Sequence, residues 1–189
     1  SITFVFHFKK YSKSITVPIK GEHFVLNIAL AIAASIASGM AFDEAVGGVE
    51  TIQSVDRVMQ LSKGRQGEIL INDTFNNNPD AAIAAINYVN KFKKKKILVF
   101  QPMIELGAYT DSAHVAVGKT AGNICDEIIL TNSNFSKAFI HGVHEVDAHK
   151  TVHIFSAEKA ASYIRSIIHK DDAILFKGKE AEYVWKLLQ

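Results

Sequence analysis

The chain is poor in the residues that announce special chemistry. It holds one cysteine, Cys125, so no intrachain disulfide can form. That fits a reducing compartment, and a cytoplasmic location is the expectation. Excess charge is missing too. A formal net charge of +2 over 189 residues is too small to imply nucleic acid or an acidic membrane surface, and neither is expected as a partner. Long apolar runs are absent. The most apolar stretch, 24–37, is interrupted by Asn27 and Ser35 and falls short of the roughly 20 residues a membrane span takes. It reads as a core helix buried on most sides. The first residues, Ser1-Ile2-Thr3-Phe4-Val5, lack both a basic signal-peptide region and an initiator Met, so the expectation is a segment of a longer protein. Prolines number three, and there are no repeats or low-complexity tracts. What is present is a large apolar share, 48%, enough to bury a core in a globular α/β protein.

The pattern of apolar residues divides the chain. Residues 2–9 and 14–19 alternate as strands do, with a polar turn at 10–13. A helix over 22–38 ends at Gly39, and a second over 43–52 has Asp43 placed as its N-cap. The polar, Gly-containing stretch 54–67 reads as a boundary, which predicts two parts, 1–62 and 63–189. Beyond it, short continuous apolar runs such as Ile97-Leu98-Val99-Phe100 alternate with helical segments. That rhythm predicts a Rossmann-like, mostly parallel sheet with helices on both faces.

Ligands of such sheets gather at the carboxyl ends of the strands. Three loops there carry the chemistry. The first is Asp73-Thr74-Phe75-Asn76-Asn77-Asn78-Pro79. Its carboxylate suits a pair of hydroxyls and its amides suit a purine edge. Asn78 ahead of Pro79 suits a helix cap equally well. The second is Gln101-Pro102-Met103-Ile104-Glu105-Leu106-Gly107, followed by His114. The third, Lys177-Gly178-Lys179, fits an anion or a plain solvated loop.

Other features carry less. Gly118-Lys119-Thr120 imitates the end of a phosphate-binding loop, but Ala113 stands where its leading glycine belongs and the segment reads as mid-helix. The lysines 93–96 end a helix and read as a solvated face. His141, His144, His149 and His153 lack a recognised metal spacing, so no metal site is predicted. Cys125 has no evident base beside it.

Taken in order, these loops resemble the Mur ligase family, most nearly the branch that adds D-alanyl-D-alanine to a UDP-muramoyl-peptide. The family's D-S-Y-N-A-N-P loop stands here as 73–79, its G-D-M-x-E-L-G loop as 101–107 with His114, and its late K-G-S as 177–179. A G-x-H-N-x-x-N helix start stands as Gly21-Glu22-His23-Phe24-Val25-Leu26-Asn27, and a junction arginine as Arg57. Phe75 for Tyr, Gln101-Pro102 for Gly-Asp, Phe24 for Asn and Lys179 for Ser mark a divergent member.

The resemblance implies that 1–62 is the end of a central ATPase domain and 63–189 the C-terminal domain. It implies ATP and Mg2+ as cofactors, UDP-muramoyl-peptide and D-alanyl-D-alanine or a related amine as substrates, and upstream domains of the same protein as partners. Asn27, Arg57, Asp73, Asn76 and Asn78 would bind nucleotide. Lys177, Glu105 and His114 would serve the second substrate. The family's P-loop and carbamoylated lysine lie upstream of these residues, so no catalytic residue is assigned and the chain alone is expected to be inactive. The alternatives are a non-catalytic Rossmann-like nucleotide- or partner-binding module, or another ligase of the same fold, of the folylpolyglutamate or cyanophycin synthetase type.

Overall fold

The computed structural model describes residues 1–189, which fall into two compact units, Ser1–Val55 and Asp56–Gln189. In the first, β1 (Ile2–Phe8) and β2 (Tyr11–Val17) form an antiparallel hairpin in register from Ile2↔Val17 to Phe8↔Tyr11. The turn is tighter than the expected 10–13, because β2 starts at Tyr11 and Lys9 takes a positive φ of 53° to reverse the chain. Helices α1 (Phe24–Ala37) and α2 (Phe42–Glu50) follow. Ile15, Val17, Ile28, Ile32, Val46 and Val49 form the core of this unit.

Two expectations are corrected here. Helix α1 buries one stripe only. Ile28 and Ile32 face the core while Leu26 and Leu30 are 66% and 60% exposed, because a hairpin and one short helix cover a single side of it. Asp43 is not the cap of α2. Ala41 holds that position, and Asp43 lies in the first turn, where its charge meets the positive end of the helix. The stop at Gly39 stands: Gly39 (φ 100°) and Met40 donate to the carbonyls of Ile36 and Ser35, a Schellman ending.

The second unit is one six-stranded sheet in the order β3-β4-β8-β5-β6-β7. Its strands are β3 (Gln60–Lys63), β4 (Ile69–Asp73), β5 (Lys96–Phe100), β6 (Glu127–Leu130), β7 (Val152–Ile154) and β8 (Ala173–Lys177). All pairings are parallel except β3 with β4. The polar, largely exposed β3 moves the unit's start to Asp56, ahead of the expected 62/63, because Gln60–Lys63 is an edge strand and not a linker. The helices are α3 (Pro79–Val89), α4 (Thr110–Ile124), α5 (Ser136–His144), α6 (Ala157–Ile167) and α7 (Ala181–Leu188). Leu70, Ile97, Val99, Ile129, Ile174 and Phe176 meet α6 and α7 on one face. On the other, Phe100 stacks on Phe139 of α5 at 5.2 Å. Full burial of such side chains contributes about 1.5–3 kcal/mol each.

The Walker-like Gly118 proves to be a packing residue. It is buried in mid-α4, where a Cβ would overlap the Phe139 carbonyl of α5. Neither is the lysine run 93–96 wholly solvated. Lys95 Nζ donates to the Ile167 carbonyl at the end of α6 (2.9 Å), and Lys96 pairs with Asp126 (3.3 Å). No helix is long and apolar enough to cross a membrane.

Candidate functional site

The order of the strands locates the site. β8 is inserted between β4 and β5, and the chain leaves β4 and β5 toward helices on one face but leaves β8 toward α7 on the other. Loops departing in opposite directions open a crevice, which is where ligands of open α/β sheets sit. A polar cleft of about 300 Å3 lies there. Asn76 and Asn77 line it from the β4–α3 loop, Gln101–Glu105 from the β5–α4 loop, and Lys179 from the β8–α7 loop.

Each loop is pinned from beneath. Asp73, 7% exposed at the end of β4, accepts from the Met59 amide through Oδ1 (3.2 Å) and from Lys177 Nζ through Oδ2 (2.7 Å). Lys177 also donates to the Asn76 carbonyl (3.1 Å). The two residues that the sequence assigned to different substrates are thus each other's partners. Asn78 caps α3 by accepting from the Ala81 amide at 2.9 Å, with Pro79 beginning the helix. Asn77 Nδ2 donates to the Gln101 carbonyl (2.7 Å) and Gln101 Oε1 accepts from the Glu180 amide (3.0 Å), which closes a ring through all three loops. Gly178, with φ 92°, lies so close to Gln101 that a Cβ would stand 2.7 Å from its Cβ.

His114 is fully buried, with both ring nitrogens engaged. Met103 donates to Nε2 (3.0 Å), so the proton sits on Nδ1 and is given to the Thr110 carbonyl (2.7 Å). This neutral imidazole holds the loop around Glu105, whose φ of 64° turns the chain back toward α4. Burial pushes the His114 pKa below its ordinary 6.5, outweighing the Thr110 hydrogen bond. The folded form therefore resists a proton that the unfolded chain accepts. The stability His114 contributes is complete above about pH 6.5 and is lost as pH falls from there through the folded value. Urea midpoints measured between pH 7.5 and 5 should show this fall in the native chain and lose that component in His114→Asn. Parallel slopes in the two proteins would refute it.

Arg57 stands beside the cleft's first loop. Its backbone, at φ 62°, accepts from the Phe75 amide (3.1 Å), and its guanidinium lies 5.5 Å from the centre of the Phe75 ring. NH1 donates to Glu182 of α7 (2.9 Å). Asn27 belongs to the first unit, exposed on α1. Glu105 is exposed at the cleft.

Sequence reading gave no separate role to Lys179, Glu180 or Glu182. Glu180 accepts from Thr131 (2.6 Å) and Asn132 (2.7 Å), so the end of β6 joins the same network. Thr131-Asn132 directly after an apolar strand was the signal available. Elsewhere the histidines scatter: His141 to Glu145, His144 to the Lys150 carbonyl, His153 to Glu127. Burial pushes the Cys125 thiol up to about 12, which leaves it un-ionised.

The fit to a nucleotide can be tested on these residues. Asn77 Oδ1 is buried without a protein partner, an unmet capacity worth about 1–3 kcal/mol that a donor in the cleft would use. Lys179 in the cleft lining and Arg57 against Phe75 carry the positive charge that phosphate oxygens would need. The residues present suit such a group.

The fold and crevice define the class: a doubly wound α/β domain with a polar cleft at the switch point of its sheet. Residues 56–180 match the Mur ligase glutamate ligase domain, and the chain belongs to the Mur ligase family. It is 26% identical over 176 residues to the UDP-N-acetylmuramoyl-tripeptide–D-alanyl-D-alanine ligase of Bacillus subtilis, covering 92% of this chain and 38% of that protein. It is 28% identical over 180 residues to the UDP-N-acetylmuramate–L-alanine ligase of Dictyoglomus turgidum, covering 89% and 38%. A crystal structure of MurF from Acinetobacter baumannii superposes with a TM-score of 0.82 at 24% identity, over 98% of this chain and 40% of that one, a likeness of fold. The chain thus spans about two fifths of the length of the relatives it matches.

Proposed function

We propose that this chain is the nucleotide-closing part of an ATP-dependent amide ligase of peptidoglycan precursor synthesis, working in the cytoplasm. The observation that carries the reading is the convergence of the 73–79, 101–107 and 177–179 loops on one polar cleft. In the reaction, a carboxylate oxygen of a UDP-muramoyl-peptide takes the γ-phosphoryl group of ATP and ADP leaves. The nitrogen of D-alanyl-D-alanine, or of a related amine, then attacks the acyl carbon. The C–O bond to phosphate breaks and the nitrogen gives up a proton. ATP and Mg2+ supply the activated phosphoryl group and its charge shielding.

This chain's residues bind and orient. Arg57 and Lys179 take phosphate oxygens. Asp73 offers its remaining lone pairs to the ribose, and Lys177 holds that carboxylate in place. Asn76 and the free amide of Asn78 face nucleotide groups. Glu105 serves the amine substrate, while His114 fixes the loop that carries it. The similarity to ligases for both D-alanyl-D-alanine and L-alanine leaves the amine to be identified by assay.

The expected result is a separation of binding from turnover. ADP titrated into the labelled 189-residue chain should shift amides of 74–79 and 101–107. Phosphate release with Mg-ATP, UDP-muramoyl-tripeptide and D-alanyl-D-alanine should stay at background. An unmoved cleft would refute nucleotide binding, and turnover would refute the division of labour.

A further inference from the structure

Arg57 is held by a device that its phosphate role alone does not require. Glu182, in the first turn of α7, accepts from Arg57 NH1 through Oε2 (2.9 Å) and from Lys186 Nζ through Oε1 (2.9 Å). Residue 182 lies 125 positions along the chain from Arg57, so only the folded sheet brings them together. We propose that Glu182 is a positioning residue for nucleotide binding, one that holds the Arg57 guanidinium against Phe75 of the cleft's first loop, with its free nitrogens available to a phosphate. The proposal rests on the nucleotide reading of the cleft.

Three features support it. First, the grip is partial. One guanidinium nitrogen is committed to Glu182, and with the Arg57 side chain still 39% exposed, the rest of the fork stays open to oxygens of a second anion. Second, Arg57 is confined on other sides. The Phe75 ring lies against its guanidinium, and its backbone is tied to the Phe75 amide and to Gln60 Oε1 (3.3 Å). A long side chain that would otherwise lose rotamer freedom on binding has been ordered beforehand. Third, the charge is not cancelled. Two cations, Arg57 and Lys186, share one carboxylate, so the cluster keeps a net positive charge toward an incoming phosphate. Chiefly Lys186, and Arg57 with it, hold the Glu182 carboxyl below its ordinary range against the opposing effect of burial, so it is ionised at neutral pH.

The opposite arrangement, in which Glu182 competes with phosphate for Arg57, predicts the opposite sign, and that decides the test. ADP affinity of the 189-residue chain is measured by titration for the native protein and for Arg57→Ala, Glu182→Ala, Glu182→Gln and the double variant R57A/E182A. The Arg57 Nε–H resonance is followed without nucleotide. Positioning predicts that Glu182→Ala weakens ADP binding roughly 3- to 10-fold, and that Glu182→Gln, which can still accept from NH1, restores part of it. The double variant should be no weaker than Arg57→Ala, since the two act as one unit. The Arg57 Nε–H signal should broaden in Glu182→Ala before any ligand is added. Unchanged or tighter ADP binding in Glu182→Ala, with Arg57→Ala still weakening it, overturns the proposal alone. Native protein that does not respond to ADP overturns the nucleotide reading, and this proposal with it.

Discussion

Replacing Asp73 by asparagine lowers the stability of the second unit by about 3–5 kcal/mol, the loss expected when one partner of a buried ion pair is removed. The Lys177 ammonium has a side chain only 3% exposed, and its one carboxylate contact is Asp73 at 2.7 Å. Asparagine keeps an oxygen for the Met59 amide but presents no charge to the lysine. The consequence reaches three segments, since the pair joins the ends of β4 and β8, the Asn76 carbonyl and the 56–59 stretch. Lys177→Met should cost a similar amount. The double variant with Asp73→Leu should recover most of it, because two well-packed apolar groups escape the desolvation that burdens a buried pair. Thermal unfolding followed by signals of the second unit would show each single change as a drop on the order of 10 °C. Single variants within about 1 kcal/mol of native, the range of exposed salt bridges, would show that water screens the pair. Under the proposed function, nucleotide binding would suffer in all three proteins. Defects at Asp73 must therefore be compared with defects at Lys177 before a ribose contact is credited.

That pair also marks the limit of what the sequence disclosed. The parallel strands were legible because burial on both faces leaves continuous apolar runs, as in Ile97–Phe100. The loops were legible because polar residues after such runs have few other reasons to cluster. Partnerships across the sheet were not. Asp73 and Lys177 lie 104 positions apart, and their contact depends on β8 inserting beside β4, which no local pattern encodes. Strand β3 was missed for a different reason. As an edge strand it carries Gln60, Ser62 and Lys63, and its composition is that of a loop. Helix α1 misled in the other direction. Its Ala, Ile and Leu content promised burial all round, yet burial depends on what surrounds a helix as well as on what it is made of. The two ring bonds of His114, to the Met103 amide and the Thr110 carbonyl, likewise had no local signature in the sequence.

Glycine substitutions should separate packing from conformational freedom by the sign of their effect. Helices α4 and α5 cross so closely that Gly118 and Gly142 lie against backbone. A Cβ at Gly142 would overlap the Val115 carbonyl and stand 2.9 Å from its Cα. At Gly118 it would overlap the Phe139 carbonyl and stand 3.2 Å from the Val143 nitrogen. Backbone cannot swing aside as a flexible side chain does, so the helices must separate. That separation would disturb the stack of Phe139 on Phe100 of β5. Overpacking of this kind costs about 1–3 kcal/mol, and Gly142→Ala and Gly118→Ala should each lie at the upper end or beyond. Gly47 gives the control. It is in mid-α2 with nothing within 4 Å of where a methyl group would stand, so alanine there gains helix propensity without a clash. Gly47→Ala should stabilise the first unit by about 0.4–1 kcal/mol. Urea denaturation of the three variants, each read on its own unit, would test the contrast. Losses below about 0.5 kcal/mol at both Gly118 and Gly142 would mean that α4 and α5 part without penalty, and the glycines would then need another explanation.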